Sequence, residues 1–211
     1  MRTAATNLAL EKSLSRQRLD KYLAATGGQL DGALALYERN TRLSQAFYSP
    51  LQAMEICLRN ALNERLVSRY GADWHQNGAP PFERDAVTNI LDAVRRLSQS
   101  NTTITLGAVV AELSFGFWVG ILGPRYDATL WRQALHSAFR ENGAPMKRKR
   151  VHSRFNALRR FRNRIAHHEP IFLQNLPGRH DETIEAISWL CAQTAAWALH
   201  HSQFSTEYNA P

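Results

Sequence analysis

Leu51, Met54, Leu58, Leu62 and Leu66 recur at steps of three and four residues, the spacing that lines one face of an α-helix with apolar side chains. Pro50 suits the first turn of that helix, where its missing N–H is not needed, and Gly71 stops the run. The same period returns along the chain. Leu19, Tyr22 and Leu23 form one stripe, and Leu34 and Tyr37 another, separated by Gly27-Gly28. Residues 72–81, with Gly78, Pro80 and Pro81, read as a loop. A helix fits residues 82–97, with Ile90, Leu91, Val94 and Leu97 inward. Thr105 is placed to cap a short helix reaching Leu113, and the small-residue segment from Phe115 to Gly120 suits close packing.

Residues 126–139 are amphipathic through Leu130, Trp131, Leu135 and Phe139, and Gly143-Ala144-Pro145 breaks the pattern. A basic helix is expected over residues 148–168. Pro170 disfavours helical geometry at Glu169 and should end it. Leu176-Pro177-Gly178 reads as a turn. Asp181 then opens a last helix with Ile184, Ile187, Leu190, Ala195 and Leu199 on one side. Residues 1–8 and 204–211 lack periodicity and are expected to fray. Alternating β-branched runs between tight turns are missing. These patterns predict one all-α, single-domain helical bundle over residues 1–211.

Composition narrows the class. A chain of 211 residues with 44% hydrophobic and 21% charged residues can bury a core without staples. The N-terminus has no apolar run of signal-peptide length, and the apolar stretches near residues 106–123 and 186–199 are interrupted by polar residues. A cytoplasmic protein with no membrane partner is expected. Cys57 and Cys191 lie in apolar helical patterns and read as buried free thiols. No Cys/His spacing fits a metal site, and no cofactor is expected. The five tryptophans, Trp74, Trp118, Trp131, Trp189 and Trp197, are assigned to the core.

The net charge of +8 is concentrated. Lys147, Arg148, Lys149, Arg150, Arg154, Arg159, Arg160, Arg162 and Arg164 lie in one segment without an acid. Removing these nine from the chain's 26 basic residues leaves one fewer than its 18 acidic ones. Such a segment attracts polyanions, so Lys147, Arg148, Lys149, Arg150, Arg154, Arg159, Arg160 and Arg164 are expected to bind RNA.

At the end of that segment stand Arg162, Asn163 and His167. An imidazole can move protons near neutral pH, and a guanidinium stays charged and grips phosphate with a planar fork. The pair suits RNA cleavage by the neighbouring 2′-hydroxyl, a reaction that needs proton transfer and positive charge at phosphorus but no metal. His167 and His168 are consecutive and point about 100° apart, so at most one faces a given cleft. Residues five apart point about 140° apart in a regular helix, so Arg162 and His167 do not share a face. Either the helix distorts near Pro170, or a second copy of the chain completes the site. Glu55 and Arg59 are four apart, an ion-pair spacing. Arg59, Asn60 and Asn63 could equally support the motif from beneath. Glu112, in an apolar run, needs a partner if buried, and an arginine of the basic helix is the expected one.

Arginine, then asparagine, then histidine near a helix end resembles the HEPN ribonuclease motif. The string from Arg159 through Arg162-Asn163-Arg164-Ile165-Ala166-His167-His168-Glu169 resembles the Abi-like, abortive-infection branch of that superfamily. The segments Glu55-Ile56-Cys57-Leu58-Arg59-Asn60-Ala61-Leu62-Asn63 and Ala111-Glu112-Leu113-Ser114-Phe115-Gly116-Phe117-Trp118 are similar to it as well. The likeness runs roughly from Leu34 to Leu199. It implies an HEPN-like helical fold, a homodimer with a composite site, and metal-independent endoribonuclease activity. His167 would transfer protons, Arg162 would stabilise the phosphate and Asn163 would position it. It also implies toxin-like or abortive-infection biology, with an antitoxin protein or a partner RNA in some members. Two other readings stay open: a non-catalytic RNA-binding dimer, and an interaction or scaffold bundle whose basic face meets an acidic partner.

Overall fold

A computed structural model describes residues 2–210. The chain runs through α1 (Ala4–Leu14), α2 (Arg16–Ala25), α3 (Leu30–Ala46), α4 (Tyr48–Tyr70), α5 (Arg84–Gln99), α6 (Leu106–Glu112) and α7 (Phe115–Gly120). Short 3-10 and π turns over Pro124–Tyr126, Asp127–Trp131 and Leu135–Ala138 lead to an antiparallel hairpin of β1 (Arg140–Glu141) and β2 (Ala144–Pro145). Then come α8 (Arg148–Ala166), α9 (Leu176–Ser188), α10 (Ala192–His201) and α11 (Phe204–Asn209). The architecture is all-α apart from that hairpin. Among the described residues no helix is long and apolar enough to cross a membrane.

The leucine stripe of α4 organises the main core. Leu51, Met54, Leu58, Leu62 and Leu66 are all buried, and Gly71 ends the helix at φ 92°, a left-handed position open to glycine. α9, α10 and α7 pack around α4. α8 adds Val151, Phe155, Leu158 and Phe161, all buried. Fully burying one such side chain contributes roughly 1.5–3 kcal/mol, so the stripe outweighs any single surface ion pair. A second, smaller core holds Leu19, Tyr22, Leu23, Ala33 and Leu34 of α2 and α3, with Phe172 packed against it.

Several sequence expectations are corrected. Residues 126–139 form no continuous helix. The chain makes a π turn over Asp127–Trp131, leaves helical geometry at Ala134 (φ −144°, ψ −58°) and takes a 3-10 turn over Leu135–Ala138, while Asp127 pairs with Arg148 (2.8 Å) and Trp131 stacks on Phe139 at 5.6 Å. Asn142 (φ 50°) and Gly143 (φ 81°) make the two-residue turn of the hairpin, an Asn-Gly signal without alternating β-branched runs beside it. Leu176, Pro177 and Gly178 are the first turn of α9, not a free turn, because the Asn175 side chain caps the Gly178 N–H. The last expected helix is two, with Cys191 at the start of α10.

Both ends are helical and packed over most of their described part. Met1 and Pro211 lie outside the described residues. Asn7 of α1 is buried and donates to Asp31, which Arg2 also holds. In α11, Phe204 is buried between Phe47 and His180, with ring centroids 4.8 Å from each. Leu91, Leu199 and Trp197 point to solvent rather than into the core. Cys57 and Cys191 are free but only half-buried, and burial pushes the Cys57 thiol up to about 11.

Three histidines are placed where charging them is unfavourable. Burial lowers His180, against a smaller opposing pull from Asp181; burial also lowers His75, and burial with Arg148 and Arg159 lowers His152. The unfolded chain therefore takes up protons near pH 6.5 that the fold does not. Stability should be full above that pH and fall as pH drops below it. Melting curves should show Tm constant from pH 8 to 7 and falling from about 6.5 toward 5, by about 2–4 °C per kcal/mol lost. In His180→Phe that fall should be smaller; an unchanged slope would remove His180 from the account.

Candidate functional site

The site is built on the end of α8. Its buried stripe fixes the helix rotation, and therefore the direction of every side chain on it. The helix stays regular through Ala166. His167 caps it, with its N–H on the Asn163 carbonyl at 2.9 Å. The His168 N–H then returns to the Ile165 carbonyl (3.0 Å) and the Glu169 N–H to the Arg164 carbonyl (2.8 Å). These crossed bonds form a Schellman motif, in which the residue after the cap takes left-handed geometry. That residue is His168, at φ 57°. A histidine here, where glycine is usual, carries about 1–2 kcal/mol of backbone strain.

The turn is held from outside. Asn40 of α3 is buried, and its Oδ1 accepts the N–H groups of Ile171 (2.8 Å) and Phe172 (3.2 Å). Arg18 of α2 donates to the His168 carbonyl at 2.8 Å, and Arg164 donates to the Pro170 carbonyl at 3.1 Å. The Tyr22 and Phe172 rings meet at 5.1 Å. The smaller core therefore anchors the segment that follows the motif. Asn40 and Arg18 were not singled out in the sequence, and Tyr22 was read only as part of an apolar stripe. Asn40 left a signal: it follows Leu34 and Tyr37 at three-residue steps, a polar residue in an apolar stripe, which requires a buried partner.

His167 and His168 are both exposed. Arg162 points elsewhere, into a groove of about 400 Å3 bordered by Tyr48, Gln52, Glu55, Ile56, Arg59 and Ile165. Its Nε lies 3.4 Å from Glu55 Oε2, and its side chain is 40% exposed. An ion pair this exposed holds at most about 1 kcal/mol, so a phosphate oxygen can displace the carboxylate. Arg59 borders the same groove, with a buried Nε that has no hydrogen-bond partner among the described residues. Two guanidiniums against one carboxylate leave the groove positive. Asn163 is half-buried, four residues before His167 and so on its side of α8. The helix thus does not distort to unite Arg162 with His167 within one chain.

The expected supporting set divides. Glu55 and Arg59 flank Arg162, but Glu55 pairs with Arg162 and not with Arg59. Asn60 borders a neighbouring groove with Cys57 and Trp197. Asn63 accepts the Trp74 indole N–H at 2.9 Å and serves the core. Glu112 pairs with Arg96 of α5, not with the basic helix, because α6 packs on α5. Glu169 pairs with Arg164 at 3.2 Å rather than with His168.

The basic segment is less bare in space than in sequence. Asp127 holds Arg148, Glu141 and Glu185 hold Arg150, Glu185 also holds Arg154, and Arg150 and Arg154 lie over the Trp189 ring at 5.3 and 5.4 Å. Lys147, Lys149, Arg159 and Arg160 have no acidic partner among the described residues, although Arg159 donates to Asn156 at 3.0 Å. Among those residues, no group of three or more His, Cys, Asp or Glu side chains is placed to hold a metal ion.

Two substitutions test the anchored turn. His168→Gly relieves the left-handed strain and should raise Tm by about 2–4 °C, for about 1 kcal/mol gained. Asn40→Ala leaves two backbone N–H groups without their acceptor and should lower stability by about 1–3 kcal/mol, with faster amide exchange at Ile171 and Phe172. An unchanged melting point in both variants would mean the turn is held by something else. No family model matches the chain, and no curated protein or solved structure matches it.

Proposed function

We propose that the chain is a metal-independent endoribonuclease of the HEPN, Abi-like type, acting on RNA in the cytoplasm as a toxin or abortive-infection effector. The reading rests on the resemblance of Arg162-Asn163 and His167 to that motif. The observation that carries it is the placement of His167: a solvent-facing imidazole at a fixed helix end, five residues beyond an arginine that faces an open, positive groove.

In this reaction the 2′-oxygen of a ribose attacks the adjacent phosphorus and the bond to the 5′-oxygen breaks. The proton leaves the 2′-hydroxyl and one is delivered to the departing 5′-oxygen. The products end in a cyclic phosphate and a 5′-hydroxyl. His167 would carry the proton, Arg162 would exchange Glu55 for the developing charge on phosphorus, and Asn163 would orient the chain.

Arg162 and His167 face apart, which fits a site shared between two copies. Beside the Arg162 groove, Tyr48 and Ile56 of α4 and Trp197 of α10 are exposed apolar side chains, a surface a second copy can cover. For a shared site, a homodimer seated there would have to bring His167 of one copy toward Arg162 of the other. An antitoxin protein or a partner RNA would restrain such an enzyme. The same divergence of Arg162 and His167 also favours a second reading, an RNA-holding dimer that does not cut.

Incubation of total RNA with wild type, Arg162→Ala and His167→Ala in the presence of a chelator separates the two. Wild type should yield fragments ending in cyclic phosphate, and each variant should cut about 100-fold more slowly or less while melting like wild type. Undiminished cleavage by His167→Ala would remove it from catalysis. RNA binding without cleavage in wild type would favour the holding role.

A further inference from the structure

The core-facing stripe of α8 leaves its opposite side to solvent. Lys149, Ser153, Asn156, Arg160, Asn163 and His167 follow one another at steps of four, three, four, three and four residues. At about 100° per residue these positions keep one direction along the whole helix. Lys149, Ser153, Arg160 and His167 are exposed, and Asn156 and Asn163 are half-exposed. Every position is polar, and none is acidic.

Ion pairing divides the cations of the segment. Arg148, Arg150, Arg154, Arg162 and Arg164 have acids supplied by other parts of the chain. Lys149 and Arg160, the two cations on the outer stripe, have none among the described residues, and Lys147 and Arg159, off the stripe, are also without an acidic partner there. A cation already neutralised by a carboxylate displaces few counterions when a phosphate approaches; an unpaired one displaces its full share. Amide and hydroxyl groups between the cations add sugar and phosphate contacts without selecting a base.

We propose that this outer stripe of α8 is a binding track for the backbone of single-stranded RNA, along which Lys149 and Arg160 hold phosphates and which ends at His167. The inference rests on the ribonuclease reading for its ligand, but it concerns binding and does not require cleavage. The stripe covers 18 residue steps from Lys149 to His167, about 27 Å at about 1.5 Å each. It assigns RNA affinity to two cations on one line, rather than to all nine of the basic segment. Recognition along it is sequence-tolerant, and a strand held there runs along the helix axis and presents its phosphodiesters to the exposed imidazole.

The test uses the wild-type protein and a fluorescent 2′-O-methyl oligoribonucleotide of about twelve nucleotides, long enough for such a track and unable to react through its 2′-oxygen. Binding is measured across a salt series. The double variant Lys149→Gln, Arg160→Gln should bind about tenfold more weakly. Its plot of log affinity against log salt should be shallower by about 1.4, for two phosphate contacts at about 0.7 each. The double variant Arg150→Gln, Arg154→Gln makes the same change in net charge on the same helix, and should stay within about twofold of wild type with an unchanged slope. Melting curves verify that both variants fold. Equal weakening by the two pairs would overturn the track in favour of diffuse attraction. Absence of RNA affinity at low salt would overturn it as well, and would leave the stripe to an acidic protein partner. Failure of cleavage with binding intact would count against the ribonuclease reading alone.

Discussion

The rotation of α8 is set by four apolar side chains, Val151, Phe155, Leu158 and Phe161, driven into the main core. Because that stripe is buried through the length of the helix, nothing short of breaking the core turns the helix about its axis. All the chemistry at its end inherits this constraint. Arg162 goes to the groove beside α4, and His167 goes to solvent on another side. The end itself is fixed by a Schellman turn and by Asn40, a buried amide reaching across from α3. A histidine accepted in left-handed geometry at 168 is consistent with a turn whose position is over-determined by its neighbours.

Charge on this molecule is organised by the fold rather than by the local sequence. The basic segment holds no acid, yet the hairpin, α9, α4 and the turn after α8 each bring a carboxylate to it. Most of those contacts are half-exposed and individually weak. Their combined effect is to thin the positive charge around α8: among the described residues Lys147, Lys149, Arg159 and Arg160 keep theirs unpaired, and the Arg162 groove stays positive. A polyanion approaching the helix therefore meets an uneven field instead of a uniform cloud.

The helical class and the central leucine stripe were legible in the sequence because each depends on a repeat visible over a few turns. The caps at Thr105 and Gly71 were legible for the same reason, since a cap and its partner are three or four residues apart. Whatever depended on distant partners was not. Residues 126–139 carried an amphipathic pattern, yet the chain leaves helical geometry at Ala134, and Asp127 is held by Arg148 of α8. Phe204 looked like part of a loose end because the rings that hold it, Phe47 and His180, lie far away in the chain. At the candidate site the residues Arg162, Asn163 and His167 could be named from spacing, and so could their divergence. Their anchors Asn40 and Arg18 stand more than a hundred residues earlier; Asn40 showed only as a polar break in an apolar stripe, with its partner unnamed, and Arg18 left no signal.

If the chain is the ribonuclease proposed above, and one helix cannot turn Arg162 and His167 toward a common phosphodiester, the two would have to meet between copies. The most direct measurement mixes Arg162→Ala protein with His167→Ala protein, exchanges their subunits, and assays RNA cleavage. In an equimolar mixture half of the dimers are mixed, and each mixed dimer keeps one complete site. Activity should then return to about a quarter of wild type, although neither protein cuts alone. A mixture verified to contain mixed dimers that still leaves RNA intact would contradict the shared site.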